Sequence, residues 1–151
     1  MSAAELEGSD WIRGITVCQP WATCILGGKD IENRPWSWRG WFLLHAGQAR
    51  TDPALLRDPL VATAIRGREL HRGAVIGVAR LTGCHQDTAG TPSCSLWARP
   101  GDHHLVLADV QELALPIPWR RGQLGPWRPP QDLVDQVLLQ LPRLHASEAL
   151  S

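Results

Sequence analysis

Apolar positions along this chain fall into short runs whose spacing changes from strand-like to helix-like and back. Residues Ile12 to Val17 are rich in β-branched side chains and predict a short strand. Pro20 then opens a helix where proline is well tolerated, with Trp21, Cys24 and Ile25 at i, i+3 and i+4 on its apolar face. Gly27-Gly28 stops that helix. Lys29 to Arg34 reads as an extended segment ended by Pro35, in which Glu32 and Arg34 share one face and can pair. The direction of Lys29 is left open by the flexible glycine pair before it. Trp38-Arg39-Gly40 predicts a turn. Trp41 to Ala46 predicts a strand apolar on both faces, hence central or part of a barrel, with His45 as its one polar interruption. Pro53 and Pro59, each after an aspartate, start two short helices through Arg66. Gly73 to Leu81 is a further strand. Gly83 to Asp102 has loop composition and one aromatic, Trp97. His104 to Leu115 gives one or two strands. The five prolines between Pro116 and Pro130 argue against regular structure there. Leu133, Val134, Val137, Leu138 and Leu141 close the domain on an amphipathic helix.

Short strands separated by helices and proline-rich loops predict an α+β domain, a small β-barrel with flanking helices. A length of 151 suits one core, expected over residues 11–141, with residues 1–10 and 142–151 as disordered tails. No apolar run approaches membrane-spanning length, and Met1 to Asp10 is acidic rather than basic and apolar. These features predict a cytoplasmic protein without a membrane partner.

Net charge is zero, but Glu5, Glu7, Asp10 and Glu148 lie outside the predicted domain against Arg143 alone. Residues 11–141 therefore carry 15 − 1 = 14 basic and 15 − 4 = 11 acidic side chains, or +3. That is too little for a nonspecific grip on a long duplex, yet it suits a local anion site. The cysteines are Cys18, Cys24, Cys84 and Cys94. With no secretory signal they are expected reduced, and they read as buried and inert. Cys84-His85, Cys94 and His103-His104 have a zinc-like composition, but their spacing matches no tight ligand knuckle. No metal or cofactor is expected.

Lys29 is the single lysine, and every other basic side chain is arginine. A compact, mobile ammonium retained in so arginine-rich a chain marks a place where a planar fork would not serve. It stands with Glu32 and Arg34 among tryptophans. Lys29 suits contact with a phosphate or a base carbonyl. Arg34 can do the same or hold Glu32, and Glu32 can accept from an exocyclic amine or act as a general base. Trp21 and Trp36 flank the cluster as stacking candidates, whereas Trp41 and Trp97 read as packing residues. Arg39 lies just beyond the cluster. His45 reads as a hydrogen-bonded barrel histidine within reach of the same cleft. Cys24 sits on the apolar face of its helix and is a poor nucleophile. Arg120, Arg121 and Arg128 form a second basic group on the proline-rich segment, either an auxiliary phosphate contact or a solvated loop.

The run Gln19-Pro20-Trp21-Ala22, then Gly27-Gly28-Lys29-Asp30-Ile31-Glu32-Asn33-Arg34-Pro35-Trp36, Arg39-Gly40 and His45-Ala46 resembles the ASCH domain, the activating signal cointegrator homology family. Its G-x-K-x-x-E-x-R signature is matched by Gly27, Lys29, Glu32 and Arg34. The resemblance covers Trp11 to Leu141. It implies a PUA-like barrel with a helix beside it and Lys29, Glu32 and Arg34 lining the cleft between them. It also implies RNA, DNA or a modified nucleoside as partner. Small bacterial relatives that hydrolyse acylated cytidine carry a nucleophilic threonine where this chain has Glu32, and others cleave RNA. This chain looks nearer the longer, coactivator-like members with glutamate there. The leading expectation is a binding cleft formed by Trp21, Lys29, Glu32, Arg34, Trp36, Arg39 and His45. The alternatives are a nucleoside or RNA hydrolase, with Lys29 stabilising an oxyanion and Glu32 activating water, and a protein-interaction module.

Overall fold

The computed structural model describes residues 11–86 and 93–141. The strand expected first is β1, Ile12–Val17. It is followed by helix α1 (Trp21–Leu26), strand β2 (Ile31–Arg34) and strand β3 (Gly40–Ala46). A 3-10 turn at Pro53–Arg57 leads into helix α2 (Pro59–Ala64). Both start on proline, and the Asp52 and Asp58 carboxylates accept from the Ala54 and Leu60 amides as side-chain caps. Strands β4 (Ala74–His85) and β5 (His103–Pro118) and helix α3 (Gln131–Gln140) complete the chain.

The five strands make one curled half-barrel sheet in the order β1-β3-β4-β5-β2. β1 and β3 run parallel, and the other neighbours are antiparallel. β3 is interior, which explains why it is apolar on both faces. Trp41 and Leu43 point into a core with Val78, Leu113, Trp127 and the α3 residues Leu133, Val134 and Val137. Phe42 and Leu44 point into the opposite core with Ile15, Val17, Ile76, Leu105 and the α1 residues Ala22 and Ile25. Each fully buried Leu or Phe of this kind contributes roughly 1.5–3 kcal/mol, so both faces are held.

Two expectations about β4 and β5 are corrected. β4 continues beyond Leu81 through Gly83, Cys84 and His85, which pair with Val106, Leu105 and His104 of β5. Loop-like composition was overridden by a long partner strand, as tertiary pairing often overrides local preference. Of the one or two strands expected from His104 to Leu115, the structure has one, β5, with a positive φ of 52 at Asp109. It also runs through Pro116 and Pro118, where regular structure was not expected. β2 covers only His103 to Leu105 and Val106, so the far half of β5 is a sheet edge, where a missing N–H is tolerated. The expected tails lie outside the described residues. No helix among those described is long and apolar enough to cross a membrane.

Curling brings the two outer strands, β1 and β2, within side-chain reach. They are not joined by a backbone ladder there. Instead the Arg34 guanidinium of β2 donates to the Thr16 carbonyl of β1 at 3.0 Å.

Candidate functional site

A cavity of about 430 Å³ opens at this junction, lined by Thr16, Val17 and Cys18 from the end of β1, Trp21 from α1, Lys29, the β2 residues Glu32, Asn33 and Arg34, and Trp97 and Arg99 from the segment before β5. The glycine pair Gly27-Gly28 sets the path of the chain into Lys29. At Gly27 a Cβ would collide with the Ala64 carbonyl of α2, and Gly28 takes φ 113, which side chains disfavour. The Lys29 amide then donates to the Cys24 carbonyl at 2.9 Å, turning the chain so that the Lys29 side chain enters the cleft.

Lys29 and Glu32 are almost wholly buried, at 4% and 6% exposure. The Lys29 Nζ donates to Glu32 Oε1. The other carboxylate oxygen, Oε2, accepts from Arg34 Nε at 2.7 Å and pairs with Arg34 Nη2 at 2.7 Å. The expected same-face pairing of Glu32 and Arg34 is thus present, and Lys29 joins from the other side. Burial pushes the Glu32 carboxyl upward, but the Lys29 ammonium and Arg34 guanidinium outweigh it and hold the group below the usual carboxylate range. Two cations around one carboxylate leave the cluster at +1. Three ammonium and five guanidinium donors exceed what one carboxylate and the Thr16 carbonyl accept, so the cluster favours an incoming anion or carbonyl oxygen.

Aromatic rings back both cations. Lys29 Nζ lies 5.9 Å from the Trp21 ring centre, and Arg34 Cζ lies 5.7 Å from that of Trp36. Trp21 lines the cleft, as expected. Trp36 does not. It packs, half-buried, against the core and supports Arg34 from behind. Trp97, expected to be a packing residue, does pack against Cys24, Val61 and Ala64 but also forms a wall of the cavity. Asn33 fastens that wall: its Nδ2 donates to the Trp97 carbonyl at 2.8 Å, and its Oδ1 accepts from the Arg99 amide at 2.7 Å.

His45 is fully buried and faces away from this cavity, toward a second one of about 430 Å³ that also borders Thr16, Cys18, Arg34 and Arg120. Its Nε2–H donates to the Trp119 carbonyl at 2.6 Å, which leaves Nδ1 to accept from the Thr16 hydroxyl at 3.0 Å. The Thr16 Oγ1 in turn accepts from Trp127 Nε1 at 3.1 Å. Burial lowers the imidazole below its ordinary 6.5, partly opposed by the Trp119 carbonyl, so the ring is held neutral. Arg39 is exposed and lines neither cavity. Arg121 and Arg128 are exposed and line neither as well.

The cysteines depart from the uniformly buried picture. Cys24 is buried, and its thiol is pushed up to about 11 by that burial despite the nearby Lys29 ammonium, which agrees with an inert role. Cys18 and Cys94 are exposed, and Cys84 is half-buried. Thr16, Val17, Cys18, Asn33 and Arg99 line the cleft without having been read as site residues. Only Asn33 had a local signal, its place inside the charged motif.

Neither a family model nor a curated protein matches the chain. The cleft's chemistry and the motif that builds it are therefore what bear on function.

Proposed function

We propose that the cleft binds a nucleoside unit, carried in RNA or DNA or free and chemically modified, and that the half-barrel is a PUA-like domain of the ASCH type. The observation that carries this reading is the Lys29–Glu32–Arg34 cluster, net +1 with Lys29 and Glu32 buried, facing a cavity walled by Trp21 and Trp97. An indole wall offers a planar base a stacking contact of about 1–3 kcal/mol. The spare cationic donors suit a base carbonyl or a phosphate, and the volume lies within the range of small-ligand pockets. A cytoplasmic setting belongs to the same proposal.

Hydrolysis is the weaker reading. A carboxylate paired at both oxygens and held below its usual range is a poor proton acceptor, and it replaces the hydroxyl nucleophile of the amidohydrolase relatives. The deciding experiment titrates the protein with nucleosides, nucleoside monophosphates and short oligonucleotides while following tryptophan fluorescence, and separately assays release of cytidine from acylcytidines. Saturable quenching with negligible turnover is expected. Robust turnover that vanishes in Glu32→Gln would overturn the binding role in favour of a glutamate-dependent hydrolase. Absence of quenching by every one of these compounds would also reject it.

A further inference from the structure

Away from the cleft's charged cluster, the pairing of β4 with β5 gathers three side chains that are scattered in sequence. His85 is the last residue of β4 and stands opposite His104 of β5. Cys94 arrives from the segment that precedes β5. The ligand-capable atoms of His85, Cys94 and His104 all lie within 4.8 Å of one another. Cys94 Sγ is 3.5 Å from His104 Nδ1, and the His85 and His104 rings meet edge-on with centres 5.5 Å apart.

This arrangement has the parts of a metal site. Around a tetrahedral zinc, with Zn–N of about 2.0–2.1 Å and Zn–S of about 2.3 Å, ligand atoms stand roughly 3.3–3.8 Å apart. The Cys94–His104 pair is at that separation already. His85 is exposed at a strand end and can close the remaining gap by side-chain rotation. The orientation of His104 is set independently. Its Nε2–H donates to the Arg99 carbonyl at 2.7 Å, which directs the Nδ1 lone pair toward Cys94. A backbone carbonyl fixing the tautomer from behind is the usual outer support of a ligating histidine. His104 is also fully buried, so the ring is anchored. Cys84 and His103, the other members of the group singled out in the sequence, are separate. They pair with each other, with Cys84 Sγ 3.6 Å from His103 Nδ1.

We infer that His85, Cys94 and His104 form a site for a zinc-class divalent cation, with the fourth position open to water. One thiolate with two imidazoles selects zinc-like ions over magnesium or calcium. On binding, the Cys94 thiol releases its proton to solvent, and both histidines coordinate as neutral rings. The cation would tie the segment carrying Trp97 and Arg99 to the ends of β4 and β5, next to the cavity wall. This inference does not depend on what the cleft binds.

The test uses tag-free, reduced, full-length protein titrated anaerobically with cobalt(II) chloride. One equivalent should bind with the visible bands of tetrahedral cobalt and a near-ultraviolet thiolate-to-cobalt band, and one equivalent of zinc chloride should displace it. Cys94→Ser should abolish the thiolate band. His85→Ala should weaken cobalt binding at least as much as loss of an outer-sphere partner does, ~10-fold or more. Cys84→Ser should keep the band. Cys94 and His85 are exposed, so both variants should retain the wild-type circular dichroism. A second measurement needs no variant: zinc should slow alkylation of Cys94 but not of exposed Cys18, read by peptide mass spectrometry. Sub-stoichiometric cobalt binding, a thiolate band that survives Cys94→Ser or disappears in Cys84→Ser, or equal alkylation of Cys94 with and without zinc would each overturn the assignment.

Discussion

Two buried polar clusters meet at Thr16, and they differ in where their hydrogen bonds end. The His45 cluster is neutral and closed. Trp127 donates to Thr16, Thr16 to His45, and His45 to the Trp119 carbonyl. Both ring nitrogens are used within the protein. Both clusters border a cavity, but the Lys29–Glu32–Arg34 cluster is charged and carries more donors than its own acceptors can take. A closed neutral network contributes to holding the sheet together. A buried ion cluster with surplus donors gains least from folding and most from a ligand, because desolvation offsets much of its internal attraction. Burial and polarity alone would have ranked the two alike. The difference lies in what remains to be satisfied.

The sharpest way to break this contrast is to remove the shared anion. Glu32→Ala leaves the buried Lys29 ammonium unpaired beside the half-buried Arg34 and should cost about 3–5 kcal/mol of stability in urea denaturation, the usual penalty for stranding a buried charge. A midpoint shift worth under 1 kcal/mol would mean that water reaches the cluster freely. Lys29→Ala should destabilise less, since Arg34 still pairs with the carboxylate through two nitrogens. It should instead weaken nucleoside binding by about 1–3 kcal/mol, the worth of a charge-assisted hydrogen bond. Equal binding by this variant in a fluorescence titration would remove Lys29 from the recognition role. On the neutral side, Trp127→Phe deletes the donor to Thr16 and should cost about 1–3 kcal/mol of stability while leaving nucleoside affinity unchanged.

Acid should separate the two clusters by pH. The folded His45 resists protonation, so the unfolded chain takes up that proton first, and stability should begin to fall as pH drops through 6.5. The Glu32 carboxyl is depressed in the fold, so its contribution is fully present above 4.5 and is lost as pH falls through its lower folded value. Denaturation midpoints from pH 8 to 3 should show both declines, the upper one absent in His45→Gln and the lower one reduced in Glu32→Gln. A wild-type profile flat across pH 6.5 would contradict the neutral, closed description of His45. The smallest expected effect concerns polymers. With +3 over residues 11–141, RNA or DNA affinity should follow a shallow log–log salt slope, about −2 to −4 for a few phosphate contacts.

What could be read from the sequence was local. The strand at Ile12, the helix begun by Pro20, the two aspartate-capped turns and the closing helix all rest on spacing and caps. The Glu32–Arg34 pairing followed from strand alternation alone. Lys29 could not be aimed, because two glycines leave the chain's path to long-range packing against α2. Trp97 and Arg99 reached the cleft through Asn33, a contact between distant segments that no local pattern encodes. The same holds for His85, Cys94 and His104. Their sequence spacing fits no ligand motif, and only the β4–β5 register, extended past a loop-like composition, sets them side by side. Trp36 failed as a cleft residue for the opposite reason, since proximity in sequence to the motif did not give access to its cavity.

The Arg34 strut between the two sheet edges bears on how binding would be felt by the backbone. The half-barrel sheet has two margins, β1 and β2, and the Arg34 guanidinium is a narrow stitch between them. Anything seated in the gap touches both margins together. Occupancy should then slow amide hydrogen exchange in Ile12–Val17 and Ile31–Arg34 at once, two segments that share no backbone ladder, while exchange in the interior strand β3 stays as it was. Slowing at one margin alone would show that the two sides of the gap respond separately.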